Sequence, residues 1–188
     1  MKSTHFTQMD SPLGIISLSG TERGLAGVFM EDHRHGPVEA QRRGWQRADA
    51  LFAEVRSQLE DYFAGRRTAF SLDIDRDAIG GTSFQRRVWQ ALQEIPYGVT
   101  ISYGELARRI HQPTAVRAVG LANGRNPLSI IVPCHRVIGS DGKLTGYGGG
   151  MERKRWLLDL ESRAMRSIAA SLSVSKESLR WSPMLRSH

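Results

Sequence analysis

Residues 102–124 read SYGELARRIHQPTAVRAVGLANG. Ser102 and Glu105 stand at capping-box spacing, Leu106 and Ile110 fall on one face, and Pro113 follows, which together predict a short helix. Beyond the proline, Thr114 can cap a second helix that runs to the breaker at Gly124 and Pro127. Two short helices joined by a turn of a few residues form a helix-turn-helix. Arg117, in the first turns of the second helix, sits where a recognition helix meets nucleic acid. Helix pairs of this kind also occur in proteins that never touch DNA, so the pattern speaks for the fold and leaves the ligand open.

Upstream, TSFQRRVWQALQEIP predicts a helix: Thr82 and Gln85 form a second capping box, Phe84, Val88, Trp89, Leu92 and Ile95 repeat on one side, and Pro96 stops it. Downstream, the β-branched SIIV at 129–132 reads as a strand, SDGK at 140–143 as a turn, and MERKRWLLDLE at 151–161 as a helix with Met151, Trp156, Leu157 and Leu160 inward. The Ser-rich stretch from Arg163 reads as a weakly ordered appendage. In residues 4–30, THFTQM, IISLSG and LAGVFM are separated by Gly, Pro and Asp turns, the pattern of an antiparallel meander. A polar loop follows, then a helix with Leu51, Phe52, Val55, Leu59, Tyr62 and Phe63 at helical spacing and Gly65 at its end, then TAFSLDI as a returning strand and DRDAIGG as a linker. The expected architecture is α/β of the α+β kind: a small antiparallel-sheet domain over 1–80, a winged-helix-like helix-turn-helix domain over 81–163 that carries the active site, and a poorly ordered tail over 164–188.

Composition narrows the function. Among 188 residues there is one cysteine, Cys134, which excludes an intramolecular disulfide and any CxxC metal ribbon. No apolar run reaches the roughly 18 residues that a membrane span requires, and the N-terminus lacks the apolar core of a signal peptide, so a soluble, cytoplasmic protein is expected. The net charge is +7, with 10 Lys and Arg against 12 Asp and Glu in residues 1–81, 12 against 6 in 82–163, and 4 against 1 in 164–188. The basic excess lies wholly in the second half, where it suits a polyanion or a solvated basic face. His33 and His35 have no third ligand nearby in sequence, so a metal is not expected there.

Cys134 has unusual company: Pro133 before it, His135 and Arg136 after it, and Tyr147 within the glycine-rich run 146–150. An ordinary thiol, with a pKa of about 8.5, is only a few per cent thiolate at neutral pH. A depression of about 1.5 units, worth roughly 2 kcal/mol, makes it half ionised. Adjacent side chains of an extended segment point to opposite faces, so His135 is expected to reach the thiol through a water. Glu94, Glu105, Asp141, Glu152, Asp159 and Glu161 are the acids that could orient it. Glu161, on an apolar helix end, is the best placed to turn inward, although spacing alone does not select it. A cysteine hydrolase uses the same three residue types but turns over; a DNA-binding regulator needs no reactive thiol.

The segments NPLSIIVPCHRVIG and TGYGGG, with IPYG, SYGELA, AVRAVGLANGRNP and WLLDLE around them, closely resemble the O6-alkylguanine-DNA alkyltransferases, also called methylated-DNA–protein-cysteine methyltransferases. The likeness covers about residues 82–162. It implies direct-reversal DNA repair: the Cys134 thiolate attacks the alkyl carbon on guanine O6, keeps the group irreversibly, and is spent after one turnover. By correspondence His135 is the water-linked base, Glu161 the carboxylate that orients it, and Asn126 the brace of the turn between recognition helix and active-site segment. Tyr103 donates toward guanine N3, and the backbone N–H of Gly148, after Tyr147, bonds O6. The carbonyls of Cys134 and Val137 read the exocyclic amine. Some relatives carry serine where this chain has Gly148. The resemblance further implies that the base is flipped out of double-stranded DNA, that Arg117 fills the gap, and that Thr114, Ala118 and Gly120 belong to a helix face that enters the minor groove. Val116 replaces an alanine of some relatives. No cofactor is implied, and no metal, because the N-terminal cysteines that hold zinc in some relatives are absent. A monomer without membrane contact is expected.

Overall fold

Three apolar-polar alternations build the first sheet. β1 (His5–Met9), β2 (Ile16–Thr21) and β3 (Gly24–Met30) form the expected antiparallel meander, with Met9 opposite Ile16 and Leu18 opposite Val28. Ile16, Leu18 and Val28 are fully buried, and each such side chain contributes roughly 1.5–3 kcal/mol of burial. The computed structural model describes residues 4–38 and 42–178. A short strand β4 (Gln46–Arg47) adds to β1 in parallel, giving the order β3-β2-β1-β4; its polar sequence reads only as loop.

A 3₁₀ turn (Asp49–Phe52) leads into α1 (Ala53–Phe63), whose Val55, Leu59 and Tyr62 face inward. Gly65, at φ +71°, ends it in the conformation that a glycine tolerates. After the short α2 (Arg76–Ile79), α3 (Ser83–Gln93) starts with the full reciprocal capping box of Thr82 and Gln85. Its Val88 and Leu92 are fully buried, and the Trp89 indole N–H donates to the Ala122 carbonyl at 2.9 Å. α4 (Tyr103–Arg109) and α5 (Val116–Gly124) form the helix pair. β5 (Ile101–Ser102) pairs in parallel with β6 (Val137–Ile138) beside them. One cluster of buried apolar side chains, Leu18, Leu59, Leu92, Leu106, Val119 and Leu157 among them, runs through both halves. Among the described residues no helix is long and apolar enough to cross a membrane.

Four local expectations change. Residues 68–74 form no strand, only a bridge from Ile74 to Leu25, because the Gln58 side chain takes the strand partner's place: it donates to the Ser71 carbonyl at 2.8 Å and accepts from its N–H at 3.0 Å. Residues 129–132 likewise form no regular strand. Ile130 has φ +73°, and the chain turns back so that Val132 N–H donates to Leu128 O. Thr114 does not cap α5; the cap position is Ala115 and carries no side-chain bond. Finally, α6 (Met151–Ser178) continues well past Glu161 as helix, and the remainder of the expected tail, 179–188, lies outside the described residues.

Candidate active site

Cys134 opens a 3₁₀ turn, Cys134–Arg136, and is 3% exposed. At three residues per turn its neighbours splay by about 120°, so the opposite-face geometry of an extended segment does not apply. The thiol has a close side-chain partner: Asn126 Nδ2 lies 3.1 Å from Sγ while also donating to Val132 O at 2.8 Å, and Asn126 Oδ1 accepts from Leu128 N–H. Asn126 therefore ties the reversing turn at 126–132 to the sulfur. Burial raises the thiol to about 11, against the lowering effects of Asn126 and Lys154. That overturns the expectation of a depressed value: desolvation of a thiolate outweighs the basic groups nearby. At pH 7 only about one thiol in 10⁴ would be ionised without help.

The next residue offers a candidate base. His135 is fully buried and its Nε2 is 2.9 Å from Glu161 Oε1. Burial lowers its pKa despite the nearby carboxylate, so the imidazole is neutral, with the Nε2 proton donated to Glu161 and a lone pair on Nδ1. Nδ1 has no hydrogen-bond partner among the described residues. Glu161 is itself fully buried, and burial would push its carboxyl up, but His135 and Arg136 hold it at about 2. The Arg136 guanidinium grips it at 2.9 and 3.0 Å, the Tyr62 hydroxyl donates to it at 2.7 Å, and Gly98 N–H at 2.9 Å. A carboxylate held this firmly orients the imidazole and stabilises its charged form.

A cleft of about 420 Å³ opens beside this centre, lined by Tyr103, Arg117, Gly120, Leu121, Tyr147 and Gly148 among others. Charge on Cys134 acts on both Tyr103 and Tyr147, which links the cleft to the thiol. Thr114, Arg117, Ala118 and Leu121 are exposed, and their spacing places them along one stripe of α5 and its entry. A larger cleft, of about 800 Å³, lies between residues 68–79 and α3 and reaches Asn126, Pro133 and Arg136; Cys134 lines neither cleft, and the smaller one is favoured by the two tyrosines on which the Cys134 charge acts.

Residues 83–163 match the 6-O-methylguanine DNA methyltransferase DNA binding domain, and residues 4–76 match the ribonuclease-like domain of the same proteins. The chain belongs to the 6-O-methylguanine DNA methyltransferase family. It is 52% identical over 158 residues to a methylated-DNA–protein-cysteine methyltransferase of Mycolicibacterium paratuberculosis, covering 84% of this chain and 92% of that protein. A Methanosarcina acetivorans protein of the same name is 49% identical over 158 residues, covering 84% and 97%. Among solved structures it is similar to Mycobacterium tuberculosis OGT in complex with DNA, with TM-score 0.78, 49% identity, and coverage of 85% of this chain and 94% of that one.

Seen as a methyltransferase of this family, the chain arranges its corresponding residues unevenly around the cleft. Tyr103 lines it, but its hydroxyl donates to the carbonyls of Thr145 and Gly146 at 3.0 and 3.1 Å and must change acceptor to serve a guanine. The Val137 carbonyl accepts from Lys154 Nζ at 2.6 Å, and the Cys134 carbonyl accepts from Asn123 Nδ2 at 3.3 Å and from the Val137 N–H, so a donor from a bound base would have to compete with these bonds. At Gly148 the structure accounts for the missing serine. A Cβ there would meet His33 Cε1 at 2.6 Å and the Gly124 carbonyl at 2.9 Å. Gly148→Ser is therefore expected to cost about 1–3 kcal/mol, read as a lowered urea midpoint; an unchanged midpoint would show that the His33 loop yields freely.

Sequence reasoning missed Tyr62, Arg136 as a carboxylate clamp, and Lys154. Lys154 is buried, bonds the Val137 and Thr145 carbonyls, and is pulled down by burial to about 8. Arg136 was visible in the motif, yet nothing in its spacing marked it as Glu161's partner. Lys154 sits in the basic run ERKR, which gives no hint that one of its charges faces inward.

Proposed function

We propose that this protein repairs O6-alkylguanine in double-stranded DNA by moving the alkyl group to Cys134, once per molecule. One observation carries the assignment of residues: the lone cysteine, a neutral histidine with an unpartnered Nδ1, and an ionised Glu161 share a buried centre beside the Arg117 cleft. The Cys134 proton passes through a water to His135 Nδ1, and Glu161 stabilises the resulting imidazolium. The thiolate then displaces guanine from the alkyl carbon: the S–C bond forms, the C–O6 bond breaks, and the electron pair stays on the purine. Donors from Tyr103 and the Gly148 N–H offset that charge until a proton neutralises it.

Asn126 braces the turn beneath the sulfur. The exposed stripe of Thr114, Arg117 and Ala118, with Gly120, enters the minor groove, and Arg117 replaces the extruded base. The two family matches suit a division near residue 80 into an N-terminal domain and a DNA-binding transferase domain, and the chemistry suits a cytoplasmic monomer.

Mixing the protein with excess duplex that contains O6-methylguanine tests the reading. We expect one methyl per chain, located on Cys134 by mass spectrometry. Many turnovers per chain would instead indicate a hydrolase, and a methyl on any other residue would remove Cys134 from the acceptor role.

A further inference from the structure

The C-terminal half supplies only part of the lesion cleft. Arg34 and His35, from the loop after β3, line it together with Arg117 and Gly148. The sequence reading leaves this loop as a solvated connection, yet it is fastened in place. Arg34 N–H donates to the Gly148 carbonyl at 2.9 Å. The His33 ring fills the space beside Gly148, where a Cβ would come within 2.6 Å of it. His33 Nδ1 accepts from His35 N–H at 3.2 Å, and Nε2 lies 3.4 Å from Ser129 Oγ. Because Nδ1 accepts, the proton belongs on Nε2. Burial, with the charges of His35 and Arg153, lowers His33 to about 4, so the wedge stays neutral at physiological pH.

The same fastening holds Arg34 and His35, both exposed, at the cleft. His35 also feels the charges of Arg125 and Arg34. Among the described residues no carboxylate lines this cleft. Gathering like charges costs free energy unless an anion answers them. A nucleotide rotated out of a duplex brings its own phosphates to the mouth of the pocket that receives its base.

We infer that Arg34 holds a backbone phosphate of the extruded nucleotide, which makes the loop after β3 a second DNA contact beside the recognition helix. The inference rests on the alkyltransferase reading and adds to it a contact from the N-terminal half. The loop's attachment to Gly148 couples that phosphate contact to the segment that faces guanine O6.

Arg34→Ala, Arg34→Lys and the unaltered protein should be compared on two substrates, an O6-methylguanine duplex and free O6-benzylguanine. Loss of one charge-assisted phosphate contact is expected to slow duplex repair about tenfold. The slope of log affinity for the duplex against log salt should become shallower by about 1. Arg34→Lys should restore most of the rate and the slope, and both variants should lose far less on the free base, which brings no phosphate, than on the duplex. An unaltered salt slope in Arg34→Ala, or equal losses on the two substrates, overturns the inference. Failure of the unaltered protein to accept a methyl from the duplex would defeat the parent reading instead, and the phosphate contact with it.

Discussion

Cys134→Ser is expected to lose methyl transfer by at least about 10³-fold, because a hydroxyl ionises far less readily than a thiol and is a poorer nucleophile toward carbon. Burial makes the contrast steeper, since it already opposes ionisation of the thiol. The exchange should leave the fold intact: serine is slightly smaller, and Asn126 Nδ2, now 3.1 Å from the sulfur, can donate to a hydroxyl. The measurement is transfer of labelled methyl from duplex to protein, with circular dichroism as the check on folding. A folded serine variant that still accepts the methyl would show that the acceptor lies elsewhere.

The second large effect falls on stability. Glu161→Ala leaves the buried Arg136 guanidinium without its counter-charge and strips acceptors from Tyr62, His135 and Gly98. Removing one partner of such a buried pair costs about 3–5 kcal/mol, a large part of what a small domain possesses. Glu161→Gln keeps the shape and one acceptor, so it should fold with a smaller loss while still reacting slowly, its His135 no longer backed by a charge. Urea unfolding of both variants measures the difference; a loss below about 1 kcal/mol in the alanine variant would mean that the network is not load-sharing as drawn. The pH dependence has a definite sign. The folded carboxyl is held at about 2, below its ordinary value of about 4.3, so its stabilisation is present above that ordinary value and fades as pH falls toward 2. The glutamine variant should lack this component of acid sensitivity.

What the sequence discloses follows the range of each interaction. Capping boxes are local, and the pairing of Thr82 with Gln85 is found as read; so is the helix pair around Arg117. The strands at 129–132 and 68–74 fail for a shared reason. β-branched residues state a preference for extended backbone, while Asn126 and Gln58 offer side-chain bonds that spacing does not reveal. The helix start after Thr114 fails more narrowly, because Ala115 takes the cap position. The basic neighbours of the thiol suggest easier ionisation, and the sign reverses because burial is a tertiary property. Glu161 could be favoured on the apolarity of its helix, whereas Tyr62, 99 positions away in the chain, carried no mark that it would reach the same carboxylate.

That tyrosine bears on how the molecule can be divided. Tyr62 belongs to α1, in the half that precedes the helix-turn-helix, yet its hydroxyl completes the oxygen that also receives the His135 proton. A transplant of residues 82–162 alone would carry the motif but leave that oxygen open to water at the seam. The segment most diagnostic of the family is therefore not a self-sufficient cassette: the N-terminal half covers the carboxylate of the proposed proton relay.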